Sequence, residues 1–180
     1  TAEVLLDLGF NIDSSIMSRW NFSQEGGPDF SAFSSEPFWL EKNEGLLELP
    51  LTCEYVGHST LRRMGIGKFS HSRIGEVLRI PGVLARSGIL ERIKLSPEGV
   101  TLKEAMRLTR RLVDDGQRIF VLSYHSPSLA VGNTPYVQTA ADLERFLFWL
   151  DEYFAFFLED IGGQMSTPED VRKRLLRNSI

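Results

Sequence analysis

The stretch that most constrains this chain is Arg118-Ile119-Phe120-Val121-Leu122-Ser123-Tyr124-His125, an apolar run that ends in a histidine and leads straight into Ser126-Pro127-Ser128. It is entered from a helical pattern, Leu102 to Asp114, through Asp115-Gly116, and so reads as a buried parallel strand of an α/β domain. Parallel strands present their chemistry at their carboxyl ends. An imidazole exchanges protons near neutral pH, so His125 at such an end is the first candidate for a general acid or base. The alternative is a histidine that only hydrogen-bonds a loop.

The chain's 180 residues, 42% hydrophobic and 24% charged, supply one core and predict one domain. A net charge of −4 gives no cationic footprint for nucleic acid or an anionic membrane. The longest apolar stretch, Leu143 to Leu158, carries Glu144, Arg145, Asp151 and Glu152, which a bilayer-spanning helix would disfavour. With Cys53 as its single cysteine the fold has no internal disulfide and must stand on packing. The compartment is left open.

Thr1 to Gly9 reads as a capped helix closed by glycine, and Phe10-Asn11-Ile12-Asp13 as a short strand. A chain of this class that opens on a crossover helix lacks the strand that should feed it, which predicts further sequence on the amino-terminal side. Residues 16–45 are rich in Ser, Gly, Pro and aromatics, a loop packed on its own rings. Leu46 to Pro50 reads as a strand that stops pairing at the proline, with a second extended piece from Leu51 to Val56. Residues 57–75 form a basic connection, and 76–90 two short helices broken at Pro81-Gly82. Ile93 and Leu95 lie in an extended approach to Ser96-Pro97-Glu98-Gly99. Thr101 with Glu104 forms a capping box for the next helix. The most apolar helix starts at Thr139 or Asp142, with Leu143, Phe146, Leu147, Leu150, Tyr153, Phe154 and Phe157 on one face. A last helix runs from its cap Thr167 to Arg177.

Asp13 stands at a second strand end, where it can charge-stabilise the imidazole or simply cap a turn through Ser14 and Ser15. Gly57-His58-Ser59-Thr60-Leu61 half matches a Gly-x-Ser-x-Gly nucleophile elbow but lacks the closing glycine. His58, His71 and His125 have no metal-ligand spacing.

Several segments together resemble the polysaccharide deacetylase family, carbohydrate esterase family 4 with its NodB-homology domain, in its WalW-like branch. They are Leu8 to Ser15, Gly45 to Thr52, Phe120 to Leu129, Gly132 to Val137, and Asp142-Leu143. The resemblance implies that residues 1–180 are the carboxyl-terminal portion of a single catalytic domain. That portion would be part of a distorted (β/α) barrel of the polysaccharide deacetylase type, its amino-terminal strands missing. It implies removal of N-acetyl groups from a sugar or polysaccharide with a divalent metal, usually zinc. The family's Asp-Asp pair and His-x-x-x-His are not in this sequence, so no metal ligand is assigned and the isolated chain is expected to be inactive. By the same resemblance His125 matches the general acid and Asp13 the acidic group that tunes it. The family's wall leucine two positions before the histidine is Ser123 here, with Leu122 one place earlier; Leu122, Tyr124 and Trp20 are the substrate-binding candidates, Trp20 matching the tryptophan of the acidic motif. The implied partner is an N-acetylated carbohydrate. A non-catalytic glycan-binding or protein-interaction module of the same fold, self-associating through exposed apolar surface, is the other reading.

Overall fold

A computed structural model describes residues 2–40, 45–57 and 90–178. The elements expected in residues 58–89, together with His58, Ser59 and His71, lie outside the described residues. What is described is a mixed α/β fold with two small sheets, and no closed barrel forms among these residues.

The opening helix α1 (Ala2–Asp7) stops at Gly9, whose φ of +80° turns the chain where a side chain would be strained. Strand β1 (Ile12–Asp13) then lies parallel to β3 (Leu47–Glu48), with Asp13 opposite Glu48. The other edge of β3 takes β2 (Phe38–Trp39) antiparallel. Pairing does not stop at Pro50, contrary to the sequence expectation. Leu49 N–H donates to the Asp13 carbonyl at 2.8 Å and Leu51 N–H to the Ile16 carbonyl at 2.8 Å. Successive strand residues face opposite ways, so the proline falls where no donor is needed on that edge.

Strand β4 (Cys53–Gly57) pairs antiparallel with β5 (Leu90–Lys94) through five residues of each. The parallel arrangement expected from sequence is thus confined to β1 and β3 among these strands. Helix α2 (Leu102–Asp114) follows, its Thr101–Glu104 capping box formed as expected. Helix α3 (Ala140–Ala155) begins with a second box between Thr139 and Asp142. Its last turn widens into a π-helical segment, Phe156–Asp160. Helix α4 (Pro168–Asn178) has Thr167 accepting from Asp170 N–H.

The core lies between β4–β5 and the helices α2 and α3. It joins Val56, Ile93 and Leu95 to Leu108, Leu112, Phe146, Leu150 and Tyr153. The inward face of α3 is rotated from the one expected: Leu147 is 47% exposed, whereas Trp149 is buried. Trp149 donates its indole N–H to the Val100 carbonyl at 3.0 Å, which gives this amphipathic ring a reason to face inward that a hydrophobicity pattern does not contain.

The aromatic loop does pack on itself. Trp20, Phe22, Phe30, Phe33 and Phe38 form an unbroken series of ring contacts with centroids 5.7–6.3 Å apart. The Arg92 guanidinium covers the Trp20 ring at 3.8 Å.

Residues 118–125 depart from the expected buried strand. They are extended but lie outside any regular sheet, and are half-buried or exposed. Val121 accepts from Thr52 N–H at 3.1 Å, yet its own N–H donates to the Thr52 hydroxyl at 2.8 Å. A side chain in place of a carbonyl interrupts the ladder. Ser123 N–H reaches the Leu95 carbonyl at 3.2 Å, so the segment is still held beside β5.

Among the described residues no helix is long and apolar enough to cross a membrane.

Candidate functional site

The extended segment delivers His125 to the protein surface, and its fixed partner is Glu98. Glu98 follows β5 through Leu95-Ser96-Pro97, as His125 follows its own segment, so both sit where extended chain runs out into loop. Glu98 is 2% exposed, while the His125 side chain is 74% exposed. One carboxylate oxygen of Glu98, Oε1, accepts the His125 backbone N–H at 2.9 Å and the Ser128 hydroxyl at 2.7 Å. The other, Oε2, lies 2.7 Å from His125 Nδ1.

Burial by itself pushes the Glu98 carboxyl up. The hydrogen bonds from Ser128 and from the His125 backbone and ring outweigh it and hold the group below the usual carboxylate range. Glu98 is therefore ionised at neutral pH and can only accept. It follows that Nδ1 carries a proton and donates it, which leaves Nε2 as the ring's solvent-facing nitrogen. Ser128 spends its hydroxyl proton on Glu98, so Thr134, 2.9 Å away, must be the donor in their contact.

That chain of donors also holds the loop after His125. A 3-10 turn, Ser126–Leu129, is closed by Ser128 N–H donating to the His125 carbonyl at 2.9 Å. Gly132 N–H donates to the Val137 carbonyl at 2.8 Å, and Val137 is fully buried. The loop is fastened at Ser128, Thr134 and Val137. Between those anchors it exposes Leu129, Val131 and Tyr136.

The structure does not join Asp13 to His125. Asp13 accepts Ser14 N–H at 2.8 Å and the Ser15 hydroxyl at 3.0 Å, the turn-capping role that its sequence allowed. Its carboxylate neighbour is Glu48. Glu48 is fully buried, with Oε1 accepting Ile16 N–H at 3.1 Å. Burial, then the nearby Asp13 charge, push its carboxyl from 4.5 up to about 7. A raised pKa means that folding favours the protonated form. The stability from Glu48 is thus complete below about pH 4.5 and is lost as pH rises to about 7. Glu48→Gln, which keeps the Ile16 acceptor, should leave Tm at pH 5 nearly unchanged and raise it at pH 8. Equal shifts at both pH values in thermal melts would argue against a protonated Glu48.

Trp20 belongs to the aromatic series under Arg92 and is not brought to His125 by any contact described. Leu122 and Tyr124 line a cavity of about 640 Å³, with Tyr124 edge-on to Phe146. Cys53 is buried, which pushes its thiol up to about 12 and withholds a thiolate. Among the described residues no group of three or more His, Cys, Asp or Glu can hold a metal ion. The donor set that the deacetylase resemblance would require is not met by these residues.

Glu98 is the functional residue that sequence reasoning passed over. Its signal was the same one used for His125: a polar cluster, Ser96-Pro97-Glu98-Gly99, directly after an apolar extended run. Comparison with protein-family models, with curated proteins and with solved structures finds no match to this chain.

Proposed function

We propose that this chain carries the proton-transfer part of an amide hydrolase that removes N-acetyl groups from a sugar or polysaccharide, on a portion of a distorted barrel of the polysaccharide deacetylase type. The observation that carries the reading is the Glu98–His125 pair: a buried carboxylate fixes Nδ1 of an exposed imidazole whose Nε2 is free to meet a substrate. The resemblance in Phe120 to Leu129 and Leu8 to Ser15 supports it.

An amine leaves a tetrahedral intermediate poorly unless it is protonated. His125 as imidazolium donates the Nε2 proton to the departing nitrogen as the carbon–nitrogen bond breaks. The ring is left neutral, still donating Nδ1–H to Glu98. A positioned acid of this kind contributes about 10²–10⁴-fold. Leu122 and Tyr124 line the neighbouring cavity, whereas Asp13 and Trp20, which the resemblance also matches, are held elsewhere and take no part in this proton transfer. Among the described residues no group of three or more His, Cys, Asp or Glu could hold the divalent metal of that family, and the proton transfer uses His125 and Glu98.

The test is release of acetate from an N-acetylglucosamine oligomer by the natural polypeptide containing these residues, supplied with zinc. His125→Ala should cost about 10²–10⁴ in turnover while bound zinc is unchanged. Acetate release at an undiminished rate would overturn the assignment.

The exposed Tyr124, Leu129, Val131 and Tyr136, on the same stretch of chain as His125, favour a second reading, a glycan-binding module without catalysis. Saturable binding of the same oligomer with no acetate released under any metal would select it.

A further inference from the structure

The cavity beside the extended segment, of which the hydrolase reading uses only the Leu122 and Tyr124 wall, has a composition that the proton-transfer chemistry does not account for. Its apolar lining includes Phe120, Leu122, Tyr153, Phe157, Met165 and Leu175. Among the described residues its charged lining side chains are Arg118 and Arg174, both exposed, and none of the described lining residues is an aspartate or glutamate. Arg118 gives Nη1 to the carbonyls of Val113 and Gln117, at 3.1 and 2.9 Å. Among the described residues neither arginine is ion-paired to a carboxylate. About 640 Å³ falls within the range of roughly 300–1,000 Å³ usual for small-molecule sites.

The aromatic lining is built in by the end of α3. The π-helical turn carries Phe157 to the cavity, where its ring meets Phe120 edge-on at 5.7 Å and stacks on Tyr153 at 6.3 Å. Gly163 is required beneath that ring. A Cβ there would stand 2.3 Å from Phe157 Cε1.

We infer that this cavity binds a single-chain amphiphile with a carboxylate head, its alkyl chain seated among the aromatic side chains and its carboxylate paired to Arg118 and Arg174. The charge pattern selects the class: two cations and no anion among the described lining residues disfavour a cationic ligand and leave a neutral one without the added attraction. Arg118 already spends one nitrogen on backbone carbonyls, and the donors that remain suit the two oxygens of a carboxylate. The inference rests on the cavity and does not depend on the hydrolase reading.

Calorimetric titration of the natural polypeptide containing these residues tests it, with dodecanoate, dodecyl phosphate and dodecanol each kept below its aggregation limit. Dodecanoate should bind at one site per chain, about tenfold or more tighter than dodecanol, the worth of a charge-assisted pair. Arg118→Gln with Arg174→Gln, both at exposed positions, should erase that preference and leave dodecanol affinity unchanged. Leu122→Trp, which fills the cavity, should weaken dodecanoate and dodecanol together, and Gly163→Ala should do so by displacing Phe157. The idea fails if dodecanoate shows no saturable binding, if its preference over dodecanol survives loss of both arginines, or if Leu122→Trp binds as well as the parent. Tighter binding of dodecyl phosphate than of dodecanoate would overturn the carboxylate head. Since no arm reads turnover, its failure and that of the hydrolase proposal are separable.

Discussion

Glu98→Ala is expected to lower the unfolding free energy by about 2–4 kcal/mol, because it removes the acceptor of three hydrogen bonds at a site 2% exposed. The His125 N–H and Ser128 hydroxyl would lose their partner together, and Ser128 would keep only Thr134. The loss should depend on pH. A depressed carboxyl stabilises the fold above the ordinary range of about 4.5, and that contribution disappears as pH falls through its lower folded value. Urea unfolding at pH 7 should therefore separate Glu98→Ala widely from the parent, and the two should converge as the medium becomes strongly acid. A constant difference across that range would contradict an ionised, hydrogen-bonded Glu98.

Glu98→Gln separates structure from chemistry at the same position. The amide retains an acceptor for the Ser128 hydroxyl and the His125 N–H, so most of the stability should remain. What it cannot do is accept through both ends. With the amide nitrogen facing Nδ1, the neutral ring must place its proton on Nε2, the reverse of the parent arrangement. Nitrogen NMR of the imidazole distinguishes the two tautomers directly. A neutral ring protonated at the same nitrogen in both proteins would remove Glu98 from the role of positioning residue.

Arg19→Ala should be the more damaging to the fold, by about 3–5 kcal/mol, as expected when one member of a buried ion pair is removed. Arg19 Nε donates to both Glu54 oxygens, at 3.1 and 3.0 Å, with the two side chains 19% and 9% exposed. Without it Glu54 keeps the Tyr55 N–H at 2.8 Å, too little to replace a lost counter-charge. The residue is held at a φ of +61°, a conformation that costs a non-glycine residue free energy of order 1 kcal/mol. Its backbone explains why the surroundings hold it there. Arg19 N–H donates to the Phe33 carbonyl at 3.2 Å and its own carbonyl accepts from Arg92 at 3.3 Å, tying the aromatic loop to β4 and β5. Combining Arg19→Ala with Glu54→Gln should recover much of the loss, since the uncompensated charge is then gone. If the single change costs less than about 1 kcal/mol in denaturant, the pair is behaving as a surface one.

Local features were legible in the chain. The capping box at Thr101, the cap at Thr167, and the end of α1 at Gly9 each depend on residues within a few positions of one another, whereas the sequence leaves the start of α3 between Thr139 and Asp142. The self-packed aromatic loop was legible for the same reason. Errors arose where a choice depended on a distant partner. Trp149 turned inward because the Val100 carbonyl was there to receive its N–H. Pro50 did not end a strand because its missing donor faced away from β1. The apolar run before His125 was extended as expected, yet the Thr52 hydroxyl interrupts its ladder. One side of that run borders the cavity in place of packed core.

By itself the sequence determined that His125 closes an extended run, that Asp13 closes another, and that helices follow the caps Thr101 and Thr167. These follow from propensity, capping and polarity read over a few residues. Only the tertiary structure decided that His125 answers to Glu98, 27 residues away, and that Asp13 faces Glu48 instead. Which strand lies beside which, and in what register, is fixed by the burial of whole faces at once. The protonation of each of these carboxyls follows from that arrangement, and no local pattern contains it.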